Sequence, residues 1–142
     1  ANRVPLLIHV PGLEGGRADT LVELLDLYPT LAELAGLDIP ESLQGESLVP
    51  VLREATTDLG DVAISMYRRK GAYGYSMRTP RYRYTEWINP DGKVVYRDLY
   101  DMQHDPGETT NIGKLPENSA LMASMAAMLR ANSVGLQRLQ LQ

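Results

Sequence analysis

Hydrophobic and polar positions along this chain fall into two textures that change at Gly60. Before it, apolar residues come in blocks. Pro5 and Pro11 enclose Leu6, Leu7, Ile8, His9 and Val10, and Gly12, Gly15 and Gly16 follow, which predicts a strand buried on both faces. Such a strand needs a neighbour on each side, and nothing nearby offers a parallel partner, so it reads as a piece of a larger sheet. Thr20 with Glu23 fits a capping box, but a helix starting there would carry Pro29 in its interior, at about 3 kcal/mol. A start at Asp26 puts Pro29 in the first turn, where its missing N–H is harmless, and Gly36 then ends the helix. The expectation is a helix over residues 26–35 with a buried stripe of Leu27, Leu31, Leu34 and Ala35. Residues 37–45 read as loop, and residues 46–54 as a short helix that tolerates Pro50 near its start.

After Gly60 the pattern alternates with period two. Residues 61–67 predict a strand, followed by a basic turn at Arg68, Arg69, Lys70 and Gly71. Residues 72–79, 81–87 and 93–100 predict three more strands, punctuated by Pro80 and by the turn signal Asn89-Pro90-Asp91-Gly92. Short turns between four strands imply an antiparallel meander. Leu121, Met125, Met128 and Leu129, flanked by Met122, then form an i, i+4, i+7, i+8 stripe on a helix over residues 117–132 that can cover one face of the sheet. The fold class is therefore α+β, a four-stranded antiparallel sheet covered by a C-terminal helix and preceded by a strand and helix of a larger α/β core. The domain division expected is 1–55 and 56–142.

Composition narrows the function classes. With 142 residues, 18 acidic against 14 basic side chains and a net charge of −4, the chain has no global attraction to nucleic acid or anionic membranes. No stretch reaches the roughly 18 apolar residues of a membrane span. The absence of cysteine excludes disulfides, thiolate metal sites and a cysteine nucleophile within these residues. The start at Ala1 is neither an initiator methionine nor a signal peptide, so further sequence is expected before it.

Candidate chemistry is sparse. His9, in the apolar run, reads as a hydrogen-bonded core histidine, and His104 as an exposed loop residue; two isolated histidines do not make a metal site. No Gly-rich phosphate loop and no Gly-x-Ser-x-Gly elbow occurs. The basic turn Arg68-Arg69-Lys70 is the best local candidate for holding an anion, because guanidinium groups bind sulfate or carboxylate bidentately; a solvated hairpin turn is the plainer alternative. Arg78, Arg81 and Arg83 interleave with tyrosines, but alternation sends the two residue types to opposite faces, which argues against a nucleic-acid platform. Residues 105–111 carry acidic side chains without EF-hand spacing and read as a turn that positions the last helix.

Several motifs in this order resemble the C-terminal end of a sulfatase, a family of the alkaline-phosphatase-like superfamily. Asp26-Leu27-Tyr28-Pro29-Thr30-Leu31 resembles the family's Asp-Leu-x-Pro-Thr-Leu helix, and Gly45-Glu46-Ser47-Leu48 its Gly-x-Ser-Leu. Leu99-Tyr100-Asp101-Met102, with Asp105-Pro106-x-Glu108-x-x-Asn111, resembles a third signature. Gly74-Tyr75-Ser76-Met77-Arg78-Thr79, then Tyr82-Arg83-Tyr84-Thr85-x-Trp87, and Ser65-x-Tyr67-x-Arg69 are similar to the iduronate-2-sulfatase type. With Arg3-Val4-Pro5-Leu6-Leu7-Ile8-His9-Val10-Pro11-Gly12, which resembles the strand that follows the family's catalytic region, the likeness covers about residues 3 to 112.

What the resemblance implies is a sulfuric ester hydrolase acting on a sulfated sugar, with a formylglycine nucleophile made from the Cys or Ser of a C/S-x-P-x-R motif and a Ca²⁺ ion. Neither that motif nor a cysteine occurs in this chain, so the nucleophile and metal ligands are expected outside it and the chain alone is expected to be inactive. The residues carried over are Tyr67, Arg68, Arg69 and Lys70, as the substrate-binding rim. Arg68 and Met66 depart from the iduronate-2-sulfatase pattern, which leaves the sugar open. The implied partners are the remaining sulfatase chain and a sulfated carbohydrate, with self-association through residues 4–11 as an expectation from an unpaired strand. The family suggests a periplasmic, secreted or lysosomal setting. Two other readings stay open: a non-catalytic module binding acidic glycans, and a phosphate or phosphonate ester hydrolase of the same superfamily.

Overall fold

The alternating region forms four strands, β1 (Ala63–Arg69), β2 (Ala72–Arg78), β3 (Tyr82–Ile88) and β4 (Val94–Asp101), paired antiparallel in the order β1-β2-β3-β4. These come from a computed structural model that describes residues 4–69 and 71–133. The chain divides into two compact units, residues 1–61 and 62–142.

Turn chemistry sets the register of the second unit. Arg69 pairs with Ala72 across the first hairpin, where Gly71 has φ +80°. The expected basic turn is thus shorter than its sequence suggested, because Arg68 and Arg69 belong to β1. In the β3–β4 turn Asn89 accepts from the Lys93 amide through its side chain, and Gly92 supplies φ +77°. Alternation then sends Tyr75, Met77, Tyr84, Ile88 and Leu99 to one face, under α3 (Ser119–Asn132). Met125, Ala126 and Leu129 of α3 close this core, with Leu121, Met122 and Met128 at its margin. That is the stripe expected from the sequence, enlarged by Ala126.

The first unit departs further from expectation. A 3₁₀ turn (Leu24–Asp26) leads into α1 (Leu27–Leu34), and α2 (Val49–Arg53) follows with Pro50 in its first turn. The expected strand over residues 4–11 is not formed: residues 4–10 have no regular structure, Leu7 is 92% exposed and His9 is exposed rather than in a core. A strand exists only through its ladder, and no described segment pairs with this one. The stripe on α1 is also corrected. Pro29, Thr30 and Ala32 are buried, while Leu31 and Leu34 face outward.

Polar ties explain that rotation. The Asp26 carboxylate accepts from the Glu23 amide at 2.7 Å and from the Glu46 amide at 2.9 Å. The Thr30 hydroxyl donates to the Asp26 carbonyl and accepts from the Leu48 amide at 2.8 Å. Gly45 approaches so closely that a Cβ there would lie 2.2 Å from the Leu25 carbonyl oxygen. The Asp-Leu-x-Pro-Thr-Leu and Gly-x-Ser-Leu motifs are thus the two halves of one buried staple, and α1 turns its Thr30 side toward it.

Candidate functional site

The face of the sheet opposite α3, buried at Gly74, Ser76 and Thr85 but open at Tyr67, Arg69 and Tyr96, carries the side chains that can meet a ligand. Tyr67, Gly74, Trp87 and Tyr96 are cross-strand neighbours and form one row from β1 to β4. The Trp87 ring lies over Gly74, since a Cβ on Gly74 would sit 3.1 Å from it. Ser65, Ser76, Thr85 and Asp98 form the next row, and Arg78, Arg83 and Tyr100 the one beyond.

Alternation splits the expected binding residues. Tyr67 and Arg69 share the face opposite α3, and both are exposed. Arg68 points to the opposite face, where its guanidinium stands 5.7 Å from the centre of the Tyr73 ring. Lys70 lies outside the described residues. The sheet therefore does not gather all four groups on one surface.

The acidic loop after β4 is occupied by structural bonds. Asp105 accepts from the Thr110 amide at 2.8 Å and the Thr109 hydroxyl at 3.0 Å. The Thr109 and Thr110 amides hold its carboxyl below the usual carboxylate range. Glu108, at φ 55°, makes a double hydrogen bond with Arg83, whose guanidinium also donates to Thr85 at 3.0 Å and lies 4.8 Å from the Tyr100 ring centre. Asn111 accepts from the Leu99 and Gly113 amides and donates to Asp98. Each named residue of the Asp-Pro-x-Glu-x-x-Asn signature other than the proline thus ties the loop to itself or to the sheet. At its start Arg81 donates to Asp101 at 2.8 Å, and His104, 70% exposed, stands 3.0 Å from the same oxygen.

One buried group escaped the sequence reading. Glu86, 0% exposed, sits on the helix-covered face between Tyr84 and Ile88. It accepts from the Tyr84 hydroxyl at 2.7 Å, from Arg97 at 3.0 Å and from Arg130 of α3 at 3.2 Å. Burial, reinforced by the bond to Glu86, pushes the Tyr84 phenol up. The signal was present: an acidic residue at a position whose parity points inward demands cationic partners. Beside this cluster a groove of about 620 Å³ is lined by Arg97, Lys114, Met122, Ala126 and Arg130, among others.

The described residues do not fit a Ca²⁺ site. No group of three or more His, Cys, Asp or Glu among the described residues is placed to hold a metal ion, and Asp105 and Glu108 are committed to the loop and to Arg83.

Residues 1–134 match the family model described as N-sulphoglucosamine sulphohydrolase, C-terminal. The chain is 36% identical over 137 residues to a delta 4,5-hexuronate-2-O-sulfatase of Bacteroides thetaiotaomicron, covering 90% of this chain and 28% of that protein. It is 33% identical over 125 residues to arylsulfatase K of Homo sapiens, covering 80% and 23%. The chain thus spans about a quarter of the length of these curated relatives. A structure solved in complex with its substrate D-glucosamine-2-N,6-O-disulfate superposes with a TM-score of 0.67 at 26% identity, covering 80% of this chain and 24% of that one. The phosphonate monoester hydrolase of Agrobacterium radiobacter, at 23% identity, TM-score 0.63 and coverage of 75% and 24%, shares the fold alone.

Proposed function

The chain belongs to the sulfatase family as a C-terminal domain, and from that premise we propose that it is part of an enzyme hydrolysing the sulfate ester of a sulfated, uronate-containing sugar. The observation that carries the substrate class is the 36% identity to a hexuronate-2-O-sulfatase across nearly all of this chain. Tyr67 and Arg69 serve this function at the sugar's edge. An aromatic ring beside a guanidinium suits a saccharide that bears sulfate or carboxylate groups, with the guanidinium bonding both anion oxygens. Arg68, on the other face, packs on Tyr73 and stays out of that role.

The formylglycine nucleophile and Ca²⁺ are supplied by other residues of the enzyme. This chain has no cysteine and no Ser-x-Pro-x-Arg to convert, and among its described residues no three His, Cys, Asp or Glu side chains are grouped to hold a metal ion. Its contribution is the sheet, the sugar-facing rim and a docking surface. The exposed leucines of the first unit, with Leu24 at 70% and Leu31 at 64%, suit packing against the remaining sulfatase chain.

Sulfate release from 2-O-sulfated uronate disaccharides and hydrolysis of matched phosphate esters are the test. The longer protein is expected to cleave the sulfate ester in preference, with activity reduced about tenfold or more by Arg69→Ala, the loss of its charge-assisted hydrogen bonds. The 142-residue chain alone is expected to release none. Preference for the phosphate ester, or turnover by the chain alone, would overturn the reading.

A further inference from the structure

We propose that the row Tyr67–Gly74–Trp87–Tyr96 is a stacking platform for an acidic oligosaccharide, extending recognition beyond a single sugar at the rim. It rests on the sugar class argued above, shares Tyr67 and Arg69 with the rim, and adds Gly74, Trp87 and Tyr96. Three aromatic side chains stand in register on the face opposite α3, and Tyr67 and Tyr96 are 67% and 46% exposed. Tyr67 and Tyr96 are open to water, and Trp87 between them is half-buried. Gly74 leaves room for the Trp87 ring to lie across β2 toward Tyr67, so the platform continues where a larger residue would interrupt it. Adjacent strands are about 4.8 Å apart, so three strand intervals put about 14 Å between the ends of the row. That length suits a short oligosaccharide rather than one ring.

Charge decides what kind of saccharide. Arg69 shares the face with Tyr67 at one end, and the Lys114 ammonium lies 5.9 Å from the Tyr96 ring centre at the other. Of the other cations on this face, Arg83 is bound to Glu108 and Arg78 donates to the Tyr82 carbonyl. Cations at the two ends and flat apolar rings between them match a chain of pyranoses whose C–H faces stack while its sulfate or carboxylate groups reach outward. A single-stranded nucleic acid also stacks on aromatic rings but needs cations along its whole backbone, and this chain has a net charge of −4.

Trp87 is the only tryptophan in the chain, so its emission reports the platform directly. Titration with a heparin-derived hexasaccharide should change that emission saturably. Tyr67→Ser and Tyr96→Ser should each weaken binding about tenfold, the loss of about 1.4 kcal/mol. Both positions are exposed, so the variants should keep the parent's far-UV circular dichroism. The N- and O-desulfated hexasaccharide should bind more weakly. No emission change, parental affinity in both tyrosine variants, or equal binding of single-stranded DNA of the same charge would each overturn the platform. Emission and turnover separate the two proposals. A platform that binds when the longer protein releases no sulfate leaves this inference standing and removes the enzymatic one, and the converse result does the reverse.

Discussion

In the second unit Met77, Tyr84, Leu99 and Leu129 are each 0% exposed, whereas in the first Leu7, Leu31 and Leu37 are 92%, 64% and 65% exposed. The second unit is organised as a sheet and helix around one apolar core. The first buries only Pro29, Ala32, Leu48 and Val49 among its apolar side chains and adds two polar groups, Asp26 and Thr30, that reach backbone amides twenty and eighteen residues away. Buried hydrogen bonds are directional, so a few of them can fix where a loop seats two apolar side chains, here Leu48 and Val49. They are also individually modest, at about 1 kcal/mol each. The contrast teaches that hydrophobic content alone does not say where a core is: leucine-rich α1 is pinned by its threonine.

The most severe challenge to this contrast is Gly45→Ala. The new methyl would meet Leu25 backbone atoms at 2.2 and 2.4 Å, which cannot yield as a flexible side chain does. We expect the Glu46 and Leu48 amides to lose about 3 kcal/mol of protection from hydrogen exchange, while the Leu99 amide keeps its own. Retained protection at Glu46 and Leu48 would show that the staple does not hold the first unit.

A paired substitution sharpens the comparison at comparable size. Leu129→Ala empties part of a closed core and should cost about 3 kcal/mol in urea denaturation. Leu31→Ala, on an exposed leucine of α1, should stay within about 0.5 kcal/mol. Equal costs would dissolve the distinction between the units.

Thr30→Val keeps the shape of a buried side chain and removes its hydroxyl. The Leu48 amide then lacks its acceptor, and its exchange protection should fall by about 1–2 kcal/mol. Thr30→Ser should restore most of it. If valine protects as well as threonine, packing rather than the hydrogen bond holds α1.

The smallest effect is a pH dependence confined to the second unit. The bond from Arg81, then those from His104 and the Gln103 amide, hold the Asp101 carboxyl well below its usual 3.8. A folded-state pKa below the unfolded one gives stability that is complete above the usual carboxylate range and is lost as pH falls through the lower, folded value. Urea midpoints taken from about pH 5 to about pH 2 should therefore fall in acid, and Asp101→Asn should flatten that slope. An unchanged slope in the variant would assign the acid sensitivity to other carboxylates.

Much of the second unit was legible because its cues are local. Period two marks the strands, Asn89 and Gly92 mark a turn, and the Leu121–Met125–Leu129 spacing marks the helix face. The site was legible only in part. Tyr67 and Arg69 share a face by parity, but reading Arg68 as part of the turn hid the fact that β1 continues through it and sends it to the other side. Glu86 was visible as a polar residue at an inward position, yet its partners Arg97 and Arg130 lie on β4 and α3, eleven and forty-four residues away. The run over residues 4–11, expected as a strand of a larger sheet, has no ladder partner among the described residues. Apolar runs record that a segment suits burial, and a strand forms only where another strand supplies the ladder.

By itself the sequence determined what near neighbours in the chain can decide: strand and helix periods, turn positions, the net charge and the motifs that mark a sulfatase C-terminal domain. Tertiary structure alone decided which distant residues meet. It joined Asp26 and Thr30 to Glu46 and Leu48, closed Arg83 onto Glu108, and aligned Tyr67, Trp87 and Tyr96 across four strands. The physical reason is that register and packing depend on the whole sheet at once, whereas periodicity depends only on each strand's own backbone.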